Sequence, residues 1–363
     1  MPRTRRLHPI YGLPSVALVG APGAGRSRLL RALAPESRHR TNLSPRLSAD
    51  RGRVVLYDPQ LDELAQLLGS AKSSPAQIEF VDCQAGLGDA HGQAEWFGNL
   101  AAFDALALVL GLYAEPDPLA ALDPTLDLVR EELNIWDLGL AKRRLERIRA
   151  ELPRAPRAER AQLERERDLF SRIVDHLGGG RSLAELGLQA PETELLRGFG
   201  FLGRKPFLVV ANTADSTVGD WSKLKANCRW PLVGVSAELE SEAAELEPDL
   251  GSELLSEYGI AEGPISRRVA AAAGGALQIR TCYTANRREA RAWSIGPEAS
   301  AYQLADAVHS DVARGFIRAE VILAAELIGL GSLARARELG SLRREGRDYR
   351  LADGDLVNIL FSG

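Results

Sequence analysis

The residues with the clearest chemical potential lie near the N-terminus, where Gly20, Ala21, Pro22, Gly23, Ala24, Gly25, Arg26 and Ser27 follow the spacing G-x-x-x-x-G-[basic]-S. Glycines in such a loop let backbone N–H groups turn inward around phosphate oxygens, and a helix starting at its end adds a positive pole. In this pattern a lysine bridges the terminal phosphates and the hydroxyl residue holds Mg²⁺. Here the lysine position is Arg26. A guanidinium is wide and planar where an ammonium is a point charge, so backbone contact to phosphate survives while terminal-phosphate contact is weakened or re-angled. The competing reading is a glycine-rich turn kept for chain geometry. Only five of the 45 basic residues are lysine, at 72, 142, 205, 223 and 225, so an arginine here also fits a chain-wide preference.

The elements around the loop suit phosphate binding. Ser15 to Val19 reads as a strand and Arg28 to Ala34 as a helix, giving strand, loop, helix. Arg38 to Arg53 reads as a polar, mobile loop, Val54 to Tyr57, Ile78 to Asp82 and Ala105 to Leu112 as strands, and Leu61 to Leu68 as a helix. From Pro124 to Leu152 the pattern is helical and charged, with a coiled-coil-like seam at Leu126, Val129, Leu133, Trp136 and Leu140. Pro153 and Pro156 end it, and a second amphipathic helix carries Leu163, Phe170, Val174 and Leu177, which makes an antiparallel hairpin. Short strands at Phe207 to Val210 and Leu232 to Val235 follow, and a β-rich module with a helix near Tyr302 to Val308 begins at about Thr281.

The totals set limits. At 363 residues the chain exceeds one ordinary domain, and 45% hydrophobic with 26% charged residues describes a folded protein. A net charge of −4 argues against a generally basic nucleic-acid coat, and no specific DNA partner is expected. Cys83, Cys228 and Cys282 are odd in number and far apart, which fits free thiols in a reducing compartment. Arg3, Arg5 and Arg6 precede no signal-like apolar core, and no run approaches the roughly 20 apolar residues that span a bilayer. The expected location is cytoplasmic, with no membrane partner; the oligomeric state is left open.

The C-terminal third carries Ala290-Arg-Ala-Trp293-Ser-Ile295, the run His309 to Val321 (HSDVARGFIRAEV), then Glu345-Gly346-Arg347-Asp348-Tyr349 and Asp353-Gly354-Asp355. These segments resemble the C-terminal signature of the YchF/Obg-like P-loop NTPases. Asp58-Pro59-Gln60-Leu61-Asp62, Ile78-Glu79-Phe80-Val81-Asp82, Asp117-Pro118-Leu119, Lys205-Pro206 and Ala211-Asn212 match that family in order. The resemblance implies an α/β fold: a P-loop NTPase G domain in two parts (15–113 and 206–280), an inserted antiparallel α-helical (coiled-coil) hairpin (114–205), and a C-terminal β-grasp TGS domain (281–363). It implies ATP or GTP with Mg²⁺ as ligands, hydrolysis of ATP in preference to GTP, and a ribosome or rRNA partner. Gly20, Pro22, Gly23, Ala24, Gly25, Arg26, Ser27 and Arg28 then surround the phosphates, Asn212, Asp215, Ser236, Ala237 and Glu238 the base, and Ser27 and Asp82 the metal.

Several departures from the family pattern fall on the chemistry. Arg26 replaces lysine, and Arg28 follows Ser27 where a small threonine is usual. The D-x-x-G segment becomes Asp82-Cys-Gln-Ala-Gly86, one residue longer, and the segment Gly92 to Asn99 is altered. The family's hydrolytic histidine falls on Leu108, which can neither orient water nor move a proton. Thr41 and Ser44 are the candidates for the threonine that closes over the metal. Asp215 has the guanine-reading identity, but Thr213 replaces the lysine that G proteins lay along the base, so ATP and GTP both stay open. Three functions follow: a nucleotide-binding protein with weak or absent hydrolysis, a nucleotide-free adaptor acting through the TGS domain and hairpin, or a slow but genuine ATPase. Arg287, Arg288, Arg314, Arg318, Arg343 and Arg344 are candidate rRNA contacts, or ordinary solvated arginines.

Overall fold

In the computed structural model, which describes residues 10–44, 47–83, 93–228, 230–260 and 263–362, the chain builds a mixed α/β protein around two sheets. The strands in chain order are β1 (Ile10–Tyr11), β2 (Ser15–Val19), β3 (His39–Ser44), β4 (Leu47–Val55), β5 (Ser73–Ser74), β6 (Gln77–Cys83), β7 (Ala105–Gly111), β8 (Phe207–Asn212), β9 (Leu232–Val235), β10 (Arg280–Ala285), β11 (Ala290–Ile295), β12 (Phe316–Leu323), β13 (Arg343–Glu345) and β14 (Asp355–Phe361). The first sheet has the order β3-β4-β6-β2-β7-β8-β9. Its central strands are parallel and β3–β4–β6 antiparallel. Residues of β2, β7 and β8 are buried on both faces, as a covered parallel sheet requires of near-continuous apolar runs.

The stretch expected as a mobile loop, Arg38 to Arg53, instead forms most of the β3–β4 hairpin at the sheet edge. Its polar composition suits that place, because an edge strand keeps one solvated face. Cross-strand charge pairs hold it: Arg40 Nε lies 2.9 Å from Asp50 Oδ1, and Arg51 donates to Glu79 Oε2 of β6 at 2.5 Å and to Thr41 Oγ1 at 2.9 Å.

The second sheet runs β1-β11-β10-β14-β12-β13, with β5 also paired to β11. Two strands that precede residue 75 are thus part of a sheet otherwise made after residue 280. The joint continues in side chains. Helix α2 (Pro59–Leu68) follows α1 (Arg26–Leu33) and is capped by Asp58, whose Oδ1 accepts from Gln60 N at 3.1 Å; its Oδ2 accepts from the Tyr283 hydroxyl at 2.7 Å. Leu61 and Leu64 pack with Tyr283, Ile322, Leu327 and Leu356 in one buried cluster. The Asp58-Pro59-Gln60 motif is therefore a cap and a tie between the two units. Asp353-Gly354-Asp355 is a turn held within the C-terminal unit: Asp353 accepts from Thr281 N at 2.7 Å, and buried Asp355 accepts from Ala352 N and the Tyr349 hydroxyl.

Between β7 and β8 the chain leaves the first sheet as a helical hairpin. Helix α3 (Gln93–Leu100) precedes β7; α4 (Pro118–Glu151) and α5 (Arg157–Gly178) follow it. Helix α4 starts six residues before Pro124, because Asp117 caps it through Leu119 N and Ala120 N, both at 3.1 Å, and Pro118 occupies the first turn. Pro124, inside the helix but near its start, removes one intrahelical bond. The expected seam divides between two cores. Leu126, Val129 and Leu133 pack on the first sheet, while Ala141, Leu145 and Ile148 meet Leu169, Phe170 and Ile173 of α5. Trp136 turns aside and stacks on Phe97 of α3, with ring centroids 5.2 Å apart. Arg144 pairs with both oxygens of Glu166 across the hairpin at 2.6 and 2.9 Å.

Where the two cores of α4 meet, Asp137 is 0% exposed and accepts the backbone N–H groups of Leu202 and Gly203 at 2.8 and 2.7 Å, fixing the re-entry into β8. Burial pushes its carboxyl up to about 7, against the two backbone bonds and the Lys205 charge. Its folded pKa thus exceeds the unfolded value of about 4, so the native state binds the extra proton between those values. Its contribution favours folding below about pH 4 and is lost progressively as pH rises to about 7. Thermal melts of wild type and Asp137→Asn across that window test this. The wild-type melting temperature should fall relative to the variant as pH rises, although Asn costs about 1–3 kcal/mol throughout through one mismatched N–H. Parallel curves would contradict it.

Candidate functional site

The C-terminal ends of β2, β6, β8 and β9 lie along one edge of the first sheet, and β2 lies between β6 and β7, where the chain switches direction of winding. Ligands of open α/β sheets bind at such a point. The loop from Gly20 leads into α1 at Arg26, with Gly25 as its N-cap at φ 93°. Two glycines are dictated by space. A Cβ on Gly20 would stand 2.4 Å from Val109 O, and one on Gly25 would stand 2.2 Å from Asn212 Nδ2.

At the phosphate end, the Ser27 hydroxyl donates to Asp82 Oδ2 at 2.5 Å. Asp82 Oδ1 is buried and has no hydrogen-bond partner, but the Arg26 Nε stands 3.7 Å from it. The Arg26 and Asp82 side chains are 11% and 4% exposed. Arg26 Nη1 also donates to Cys83 O at 3.4 Å. Burial pushes the Asp82 carboxyl up, with the Ser27 bond and the Arg26 charge opposing and Asp50 adding to the rise. The neighbouring Cys83 thiol is pushed up to about 12 by burial and by Asp82, so it is no nucleophile.

A serine hydroxyl beside a carboxylate is the donor set that holds Mg²⁺ in a phosphate loop. The oxygen that would face the ion faces a guanidinium instead, and as arranged these residues do not fit a divalent cation. Among the described residues no group of three or more His, Cys, Asp or Glu side chains suits a metal.

On the opposite side, Asn212 at the end of β8 donates from Nδ2 to Ala24 O at 3.0 Å and accepts at Oδ1 from Ala237 N at 3.0 Å. One buried carboxamide therefore ties the phosphate loop to the segment Ser236, Ala237 and Glu238. The Ser236 hydroxyl donates to Asp215 Oδ1, which brings two of the sequence-selected base residues together. Thr213 points inward: its hydroxyl donates to Val235 O and accepts from Trp221 Nε1 at 2.9 Å. Beneath lies a buried ion pair in which Arg268 donates to Glu240 Oε2 and to Gly234 O at 2.8 Å, while Glu240 Oε1 accepts from Ser236 N at 3.1 Å. Arg28 forms an ion pair with Glu238, both about half exposed. Such a pair is worth at most ~1 kcal/mol against the ~8 kcal/mol of a micromolar ligand, so it is no barrier to entry.

The structure thus gathers Gly20, Pro22, Gly23, Ala24, Gly25, Arg26, Ser27 and Arg28 with Asp82 and with Asn212, Asp215, Ser236, Ala237 and Glu238 around one sheet edge. Thr41 is engaged by Arg51 in the β3–β4 hairpin, and Ser44 ends β3. Leu108 is buried in mid-β7, paired with Val19 and Val209. The segment from Gln84 to Gly92, including Gly86, lies outside the described residues.

Comparison with known proteins now gives this edge a lineage. A family model for the YchF GTPase C-terminal region, described as a protein of unknown function (DUF933), matches residues 279–362. "Ribosome-binding ATPase YchF" of Pasteurella multocida is 30% identical over 362 residues, covering 95% of this chain and 98% of that protein. The chain belongs to the YchF family. The Bacillus subtilis YchF protein is 27% identical over 369 residues, covering 96% and 99%. A structure of the Schizosaccharomyces pombe YchF GTPase shares the fold at a TM-score of 0.77, with 17% identity over 96% of this chain and 97% of that one.

Two features of this YchF-family chain escape sequence reasoning. Tyr113, just past β7, donates its hydroxyl to Gly23 O and so lies over the phosphate loop. The Arg268–Glu240 pair supports the base segment from below. An aromatic directly after a buried strand was the available signal for the first. For the second there was none, since neither residue belongs to a local motif.

Proposed function

We propose that this protein binds ATP or GTP at the edge formed by the phosphate loop and the Asn212 and Ser236 segments, and hydrolyses it very slowly or not at all. The observation that carries this reading is that Asn212 ties the phosphate loop to Ala237, while Arg26, at the position expected to serve the terminal phosphates, stands beside Asp82. Binding draws mainly on backbone N–H groups and a helix N-terminus, which the frame supplies. Hydrolysis needs charge and positioned water at the γ-phosphate. A guanidinium directed at Asp82 withdraws the first. Leu108, walled into β7, offers nothing for the second. Single-turnover assays with nucleotide-stripped protein should give rates at or below about 0.001 per second for both nucleotides. Rates of several per second would overturn this reading.

The relatives are named as ribosome-binding, and ribosome association is proposed here too. Arg287 and Arg288 stand exposed at the β10–β11 turn, and Arg343 and Arg344 in β13. Binding to rRNA through them releases counterions, so co-sedimentation with ribosomes should fall steeply with salt. The full-length double variant Arg287→Glu, Arg288→Glu should pellet less than wild type at the same salt. Equal pelleting of wild type and variant would place the contact elsewhere. Truncation at residue 281 is the wrong test, because it strips the cover from Leu61 and Leu64.

A further inference from the structure

We propose that the second sheet, on the face that packs against α2, holds a site for a single nucleotide with an amino-bearing base, separate from the phosphate loop on the first sheet. The site is a cavity of about 320 Å³ between the end of α2, the β10–β11 turn, strands β12 and β14 and the helix Leu333–Glu338. That volume falls at the low end of the roughly 300–1,000 Å³ range of small-ligand clefts. Register sets its floor. Ile322 on β12 stands opposite Leu356 on β14, both buried, and Leu68 and Leu342 close the sides. Apolar side chains paired across neighbouring strands make a flat platform.

One rung further along the same face the pairing turns polar, because side chains alternate and Glu320 stands opposite Asn358. Asn358 Nδ2 donates to Glu320 Oε2 at 3.2 Å, and among the described residues Glu320 Oε1 has no partner. An acceptor thus stands at the edge of an apolar floor. Cations form the rim. Arg287 and Arg337 line the cavity, both are exposed, and among the described residues neither has an ion-pair partner. Arg344 of β13 stands opposite Glu320, and Arg318, two residues from Glu320 on the same face, has a buried Nε with no hydrogen-bond partner.

An occupant has to meet floor, acceptor and rim together. An acyl chain would leave the Glu320 carboxylate against hydrocarbon, with nothing to offset its desolvation. An organic cation would meet the guanidiniums of Arg287 and Arg337. A nucleotide meets all three: the base lies on the apolar floor, an amino group on its edge donates to Glu320, and the phosphate accepts charge-assisted bonds from the arginines. A free mononucleotide and an unstacked residue of an RNA strand offer this same chemistry.

The test uses cytidine and uridine, which share a ring size but present an amino donor and a carbonyl acceptor at the same place. CMP and UMP are titrated calorimetrically into nucleotide-stripped full-length protein, and single-stranded RNA hexamers of C and of U are followed by fluorescence anisotropy. Wild type should bind the cytidine form about fivefold or more tighter than the uridine form in at least one of the two formats. Glu320→Gln, whose amide offers a donor as well as an acceptor, should bring the two within about twofold. Arg337→Glu should weaken both by about tenfold and leave their ratio unchanged, which places the probe in this cavity and not at the phosphate loop. Binding of the mononucleotides assigns the site to free nucleotide, and binding of the hexamers alone assigns it to RNA. Equal binding of the cytidine and uridine forms by wild type would overturn the proposal, as would binding of neither form at millimolar mononucleotide and about 100 μM hexamer. A folded Arg337→Glu protein that binds as well as wild type would overturn it too. The wild-type ratio is decisive even if a variant fails to fold.

Discussion

The Asn212 carboxamide is the contact on which the arrangement of the site depends. It donates to the phosphate loop at Ala24 O and accepts from Ala237 N, so a single buried side chain at the end of β8 sets the distance between two loops far apart in sequence. Each bond is worth about 1 kcal/mol net, but leaving either buried partner unmade costs about 1–3 kcal/mol. The tie also dictates Gly25, where any Cβ would collide with Nδ2. Arg268 and Glu240 brace the same loop from below, and Trp221 lies against Gly234 so closely that a Cβ there would stand 2.2 Å from its ring. These constraints are structural, and they hold whether or not the site turns over substrate.

Binding frame and hydrolytic chemistry separate for that reason. The frame is built of backbone, glycines and one amide, all locked by packing. Hydrolytic chemistry in a phosphate loop rests on a few side chains that the sheet itself does not need. Leu108 packs in the core beside β7's neighbours, and Arg26 stands beside Asp82. The site is also tied to the rest of the molecule. Phe97 stacks on Trp136 of the hairpin, and Asp58 bonds Tyr283 of the C-terminal sheet.

Strand β2, the phosphate loop and the hairpin were legible in the sequence because each is local: an apolar pentapeptide, a fixed glycine spacing, a heptad-like pattern stopped by prolines. The β-rich character of the C-terminal module was legible too, though not strand β12, and the family through long runs such as His309 to Val321. What stayed hidden depends on distant partners. Arg38 to Arg53 looks like a loop until β6 is present to pair with it. Ser73 and Ser74 show no strand signal, and pair only because β11 offers an edge. The split of α4 between two cores follows from the course of β7 and β8, not from its own periodicity. The direction of Arg26 could not be read from its identity, since a lysine-to-arginine change carries no information about which partner the fork selects.

The most direct measurement is equilibrium binding of ATP and GTP to nucleotide-stripped wild type and to Asn212→Ala. The account predicts that wild type binds at least one nucleotide with a dissociation constant below about 100 μM. It predicts that Asn212→Ala, still folded by circular dichroism, loses about tenfold or more, because the two loops no longer hold their spacing. Wild type that binds neither nucleotide at millimolar concentration would contradict it, and so would a folded Asn212→Ala protein that binds as well as wild type.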